Sequence, residues 1–191
     1  MRFIVAILSL TLLTGCSDDP IPKPTAYFRI ALPEKQYRFI DTLQANYAFD
    51  LPQYARAIPS PDMRPGDRYW YNIYFPQFMG EIYLTYKDID SKQPLPILLE
   101  DLHKTAYGHS SRADQIVMRT FEFPERKTYG VVYEVYGDVA SQVQFCLTDS
   151  TRRFLRGSLY FACPPNKDSL APVVKFIKAD IDRLIQSFNW K

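Results

Sequence analysis

Alternation of apolar and polar positions marks two strands in the middle of the chain. Over residues 69–75, Tyr71, Ile73 and Phe75 fall on one side and Trp70, Asn72 and Tyr74 on the other. Over 81–87, Ile82, Leu84 and Tyr86 oppose Tyr83 and Thr85. Successive strand side chains point to opposite faces, and Pro76-Gln77-Phe78-Met79-Gly80 supplies a turn, so the pair predicts an antiparallel hairpin. The period then lengthens. Leu95, Leu98, Leu99, Leu102 and Ala106 recur at helical spacing, with Pro96 suited to a first turn and Gly108 to a stop, which predicts a helix over 95–107. Strands are predicted at 115–123, 129–136, 142–148 and 154–163, and their short connections make them an antiparallel meander. The chain ends in an amphipathic helix: Leu170, Val173, Val174, Ile177, Ile181, Leu184, Ile185 and Phe188 form one stripe, while Lys175, Lys178, Asp182, Arg183 and Gln186 face away. Asp168 or Ser169 is suited to cap its start, with Pro172 in its first turn.

The pattern is weaker towards the N-terminus. The apolar pieces at 27–30 and 45–49, bounded by Pro33 and Pro52, read as edge strands or extended arms. Residues 52–66, with Pro59, Pro61 and Pro65, read as a long connection of the kind that is functional or flexible. Strands, helix, strands, helix is the order of a single α+β domain: a mostly antiparallel sheet covered by helices. The composition agrees, since 14 Tyr and 13 Phe against 7 Gly suit half-buried strands. In 191 residues, 23 Lys and Arg stand against 21 Asp and Glu, a balance that argues against a surface for nucleic acid.

The first sixteen residues alter the class. Arg2 supplies a positive start, residues 3–13 carry no charge, and Leu13-Thr14-Gly15-Cys16 follows at once. Eleven residues rise about 16 Å as a helix, half of a hydrocarbon core of about 30 Å, so the segment suits a cleaved leader better than a permanent span. The last four positions resemble a lipobox, which implies diacylation of the Cys16 thiol and cleavage before it, leaving residues 1–15 as a lipoprotein signal peptide. Several acyl chains give durable attachment where one is marginal. Residues 16–26 are then the lipidated cysteine and a proline-rich tether, in which Pro20, Pro22 and Pro24 favour a polyproline-like spacer. Residues 27–191 are expected to form the domain. Ser17-Asp18-Asp19 resembles the acidic signal that sends some Bacteroidetes lipoproteins to the cell surface, and reads equally well as a solvated linker.

No catalytic constellation is legible. His103 and His109 lie six apart, where a shared helix face needs three or four, and no third His or Cys is near, so no metal or other cofactor is expected. His109, Ser110 and Asp114 have the residue types of a triad, but triads assemble from distant segments, and a helix-ending His with a polar turn accounts for them better. The chain lacks G-x-S-x-G, P-loop and G-x-G-x-x-G patterns, and its paired acids fall in solvated turns or on helix faces. A turn near Ser150-Thr151 sets Cys146 opposite Leu155 or Arg156, which leaves Cys163 too far away for a disulfide; two free, buried thiols are expected.

An ordered set of stretches resembles one family. Tyr27-Phe28-Arg29-Ile30-Ala31-Leu32-Pro33-Glu34-Lys35, Ile82-Tyr83-Leu84-Thr85-Tyr86-Lys87, the segment from Tyr107-Gly108-His109 to Ala113-Asp114, Thr148-Asp149-Ser150 with Phe154-Leu155-Arg156-Gly157-Ser158-Leu159-Tyr160-Phe161, and Pro165-Asn166-Lys167-Asp168-Ser169-Leu170 are similar to the gliding-motility lipoproteins of the GldD family of Bacteroidetes. The resemblance implies a cell-envelope component needed for gliding and linked to type IX protein secretion, with no enzyme activity, cofactor or catalytic residue to carry over. It also implies an outer-membrane lipoprotein facing the periplasm, unless the acidic stretch exports it to the surface. The element order resembles PsbP/Mog1-type domains, an analogy of fold only. Its expected partners are the membrane, through the anchor, and other gliding or secretion proteins. Candidate docking residues are Tyr69, Trp70, Tyr71 and Tyr74, beside the long connection, and the basic Arg152, Arg153 and Arg156; Tyr, Trp and Arg favour interfaces, although strand cores and solvated edges use them too. The alternative is a small-ligand or cryptic hydrolytic site near His109, Arg112 and Asp114.

Overall fold

A computed structural model of the chain describes residues 30–108 and 110–191. The leader at 1–15, Cys16 with the 16–26 tether, most of the 27–30 piece, and His109 lie outside the described residues.

The expected hairpin is β4 (Tyr71–Phe75) and β5 (Gly80–Asp88), joined through a short 3-10 turn at Pro76–Phe78 with Met79 left-handed. The expected meander is β6 (Ala113–Phe123), β7 (Thr128–Gly137), β8 (Val143–Thr148) and β9 (Arg153–Phe161), all antiparallel. What the local pattern does not contain is the union of the two. β5 pairs with β9 over nine residues, giving a seven-stranded sheet in the order β3-β4-β5-β9-β8-β7-β6. Its outer member β3 (Arg56–Pro59) corrects the reading of 52–66 as a plain connection. Pro59 sits opposite Tyr71 on this edge strand, at a position whose N–H would face away from β4, so its absence costs no ladder bond. A second sheet joins β1 (Tyr37–Ile40), β2 (Tyr47–Pro52) and β10 (Asn189–Trp190), with β2 central and buried at every position.

The first helix, α1 (Leu95–Tyr107), has the predicted bounds and lays Leu98, Leu102 and Ala106 against Val131, Tyr133, Cys146 and Phe154 on one face of the large sheet. The terminal helix, α2 (Lys167–Ser187), covers the opposite face and joins both sheets in the larger core, where Ile177, Ile181 and Leu184 meet Phe75, Leu84, Leu155 and Phe188. Burying each such side chain contributes roughly 1.5–3 kcal/mol. The cap of α2 is Asn166, whose side chain accepts the Ser169 N–H at 3.0 Å, so Asp168 lies within the first turn. Pro172 is consequently inside the helix instead of in its first turn. Strand β9 stops at Phe161, and Cys163 is exposed, not buried; Cys146 faces Arg156 as expected, and both thiols are free.

Candidate functional site

Antiparallel pairing of β5 and β9 runs from Gly80 opposite Phe161 to Asp88 opposite Arg153. It therefore carries two stretches distant in sequence, the loop before β4 and the turn before β9, to one end of the sheet. There Arg68 grips Asp88 through both carboxylate oxygens at 2.7 and 2.6 Å. The guanidinium also lies 5.4 Å from the Tyr69 ring, which stands edge-on to Tyr86 at 5.4 Å. Trp70 donates its indole N–H to the Tyr86 carbonyl at 2.9 Å, under Lys87 at 5.0 Å, and Lys87 pairs with Asp67 at 3.2 Å. Tyr69 has a left-handed φ of 62°, rare for a bulky residue, with its carbonyl held by the Tyr47 hydroxyl at 2.7 Å. Burial pushes the Tyr86 hydroxyl above its ordinary pKa, and its bond to Asp88 adds to that.

The basic turn joins the same end. Asp149 Oδ1 accepts the N–H groups of Arg152, Arg153 and Thr151 at 2.7, 2.9 and 3.0 Å. Burial alone would raise the Asp149 pKa, but these donors hold it below the usual carboxylate range. Arg153 lies over Trp190 at 5.8 Å, and the exposed Arg152 gives its carbonyl to Ile89 N–H at 2.9 Å. Of the seven expected docking residues, the structure thus brings together Tyr69, Trp70, Arg152 and Arg153. Tyr71 faces the α2 core and is buried, which leaves it no surface for a partner. Tyr74, opposite Glu81, is exposed but lies towards the other end. Arg156 is half-buried between Cys146 and Thr85, its pKa lowered by burial, with Gln144 Oε1 at 3.4 Å.

The chain enters the domain at that other end. Gln77 Nε2, in the β4–β5 turn, donates to the Ala31 carbonyl at 2.5 Å. From there the arm climbs along α2, where Lys35 meets Asp180 at 2.6 Å and the Phe176 carbonyl at 2.7 Å. Tyr37 and Tyr54 donate to the same carboxylate at 2.8 Å. Eight residue steps along β5, at about 3.3 Å each, separate the entry end from the aromatic and basic end by roughly 26 Å. Asp180 was detectable in principle: it falls seven residues after Val173 and four before Leu184, inside the apolar stripe. The partners Arg68, Tyr86 and Asp88 carried no such signal: Tyr86 and Asp88 share β5, and Arg68 reaches them from the unpatterned loop before β4.

Around Arg112 the chain forms a cleft of about 230 Å³ with Ser111, Asp138, Val139 and Pro165. Asp114 instead pairs with Lys167 at 2.7 Å. Among the described residues no cluster of three or more His, Cys, Asp or Glu is placed to hold a metal ion.

A family model described as gliding motility lipoprotein GldD matches residues 17–190. Comparison with curated protein sequences gives no match. Among solved structures the chain is similar to cyanobacterial PsbP (CyanoP) from Synechocystis sp. PCC 6803, with a TM-score of 0.51 and 13% identity over 88% of this chain and 100% of that one. At that identity the likeness shows the fold alone.

Proposed function

Since this chain belongs to the gliding motility lipoprotein GldD family, we propose that it is a non-enzymatic docking component of the cell envelope, serving gliding, type IX secretion or both. Cys16 carries the lipid, the outer membrane is its site, and the domain faces the periplasm. The observation that carries this reading is the gathering of Tyr69, Trp70, Arg68, Arg152 and Arg153 at the end of the sheet farthest from where the chain enters the domain. A tethered protein presents that end away from its anchor, and side chains held in place by hydrogen bonds, as Trp70 and Arg68 are, lose little freedom on binding. The partner is another envelope protein of the motility or secretion machinery.

The test is recovery of complexes from the native host with tagged full-length protein in mild detergent, beside Cys16→Ala, Trp70→Ala and Arg153→Ala. Motility or secretion proteins should accompany the parent and be lost with Cys16→Ala. They should be reduced by Trp70→Ala or Arg153→Ala in variants that still melt cooperatively. Unchanged recovery with both surface variants removes this surface. A second reading rests on the cleft at Arg112: a small-ligand site, for which a ligand-induced rise in melting temperature would speak. Full motility with His109 and Asp114 both replaced would count against it.

A further inference from the structure

A larger cleft lies under the N-terminal half of α2. Its volume is about 390 Å³, within the range of small-molecule sites. One wall comes from Leu170, Ala171 and Val174 of α2, and the other from Val143 of β8 with Glu134 and Tyr136 of β7. Apolar side chains dominate the walls and lysines stand at the edge: Lys167, Lys175 and Lys178.

The polar groups sort themselves by partner. Glu134 is buried, with Lys178 Nζ 2.8 Å from Oε1 and the Tyr136 hydroxyl donating to Oε2 at 2.7 Å. Burial works against its charge, but these two partners hold its pKa below the usual value, so it is an anion already satisfied. Lys167 is satisfied by Asp114. That leaves Lys175, exposed at the rim and without an ion pair among the described residues. Gln142, 8% exposed, also lines the cleft; its Nε2 donates to the Val139 carbonyl at 2.8 Å, while Oε1 has no donor among the described residues. A buried acceptor left unpaired is unusual in a native fold and marks a place where a hydrogen-bond donor belongs. The cleft thus offers apolar walls and one unneutralised cation, with a buried unmet acceptor in one of its lining residues.

Its position adds a source. Gly137, Lys167 and the α2 N-terminus lie at the end of the sheet where Ala31 meets Gln77, the end at which the described chain begins. Exposed Ile30, Leu32, Met79 and Tyr136 share that end.

We propose that this cleft binds an anionic amphiphile, an aliphatic chain between α2 and β7 with its acidic head at Lys175. A phospholipid of the anchoring membrane and a free fatty acid share this chemistry, and the experiment separates them. Full-length lipidated protein is reconstituted into phosphatidylcholine vesicles doped with phosphatidylglycerol bearing a photoactivatable acyl chain, or in parallel with photoactivatable phosphatidylcholine. Irradiation is followed by peptide mapping. Cross-links are expected on peptides containing Val143 or Ala171 and Val174, several-fold stronger with phosphatidylglycerol.

Ala171→Trp, an exposed position whose new side chain fills the cleft, should remove them at least tenfold. Lys175→Glu should abolish the preference for the anionic lipid while the melting temperature stays at that of the parent. Loss of the cross-link with excess laurate shows that a free alkyl carboxylate competes; persistence assigns the site to the phospholipid. Labelling spread evenly over exposed peptides, equal labelling by both lipids, or labelling unchanged in both variants overturns the proposal. So does a cleft filled by the protein's own Cys16 acyl chains, which carry no acidic head.

Discussion

Replacing Asp180 with Asn removes one charge from a site that three side chains converge on. Its side chain is 2% exposed and accepts from Lys35 at 2.6 Å, Tyr37 at 2.8 Å and Tyr54 at 2.8 Å to each oxygen. Hydrogen bonds to a charged group contribute about 1.5–3 kcal/mol each. Lys35 recovers part of its loss, being 30% exposed and still bound to the Phe176 carbonyl and ring. The amide keeps one acceptor oxygen for one tyrosine, while its NH₂ confronts the remaining donors. The net cost is about 3 kcal/mol, near the lower end for a broken buried pair. For a chain of this length that is a fall in melting temperature of roughly 6–12 °C. Circular dichroism melts of the full-length protein at neutral pH measure it. Lys35→Met should cost about 2 kcal/mol, because it leaves the buried carboxylate with only its two tyrosine donors, and the double variant should lose less than the sum, since residues in one network couple by about 0.5–3 kcal/mol. Limited proteolysis should also cut the arm around residues 30–40 sooner. A melt within about 2 °C of the parent, or strict additivity with Lys35→Met, would refute the view that this carboxylate fixes the arm to α2.

Asp149 titrates below its ordinary value when folded, so the stability it supplies is full above about pH 4 and is lost as pH falls towards its folded pKa. Between pH 6 and pH 3 the Asp149→Asn variant should lose less melting temperature than the parent, and an equal loss would show that the N–H cradle is not the cause. Burial pushes the Cys146 thiol up to about 12, while Cys163 is exposed. Iodoacetamide at pH 8 should therefore tag Cys163 alone in the folded protein and both thiols after denaturation, read by mass spectrometry; tagging of native Cys146 would contradict its burial. A Cβ at Gly157 would lie 2.1 Å from Phe145 Cζ in the core. Overpacking of this kind costs about 1–3 kcal/mol, so Gly157→Ala should lower the melting temperature and a second change, Phe145→Leu, should restore part of it. A melt of Gly157→Ala at parental temperature would contradict the packing.

What could be read in the sequence divides along the range of the interactions. Both helices and the β6-to-β9 meander follow from local periods and short turns, and α1 has the bounds that Leu95, Pro96 and Gly108 imply. β10 is two residues long and has no period, and β1 pairs with β2 through a register that no local alternation encodes. The same distinction governs the candidate site. Tyr69 and Trp70 stood out by residue type, and Arg152 and Arg153 by charge, but only the long-range pairing of Asp88 with Arg153 makes them one surface. Tyr71 and Tyr74 also show why type alone misleads. Alternation sends Tyr71 to the α2 face, where it is buried, while Tyr74, on the other face, is exposed towards the opposite end.

The N-terminal arm links the two ends of the domain. A flexible tether by itself would let the domain turn freely about its anchor, and neither end would face the membrane for long. The arm changes that, because its attachment is spread over Gln77, Phe176 and Asp180 and then continued by the β1–β2 ladder. A polyproline-like spacer of the eight residues 17–24, as the sequence leads one to expect, would at about 3.1 Å per residue reach roughly 25 Å. That is about the length of β5, so on the proposed anchoring at Cys16 the end carrying Lys175 would stay within reach of the headgroups while the end carrying Trp70 and Arg153 would be held beyond them. Releasing the arm with Asp180→Asn should for that reason reduce partner recovery and the lipid cross-link together, even though Asp180 belongs to neither surface.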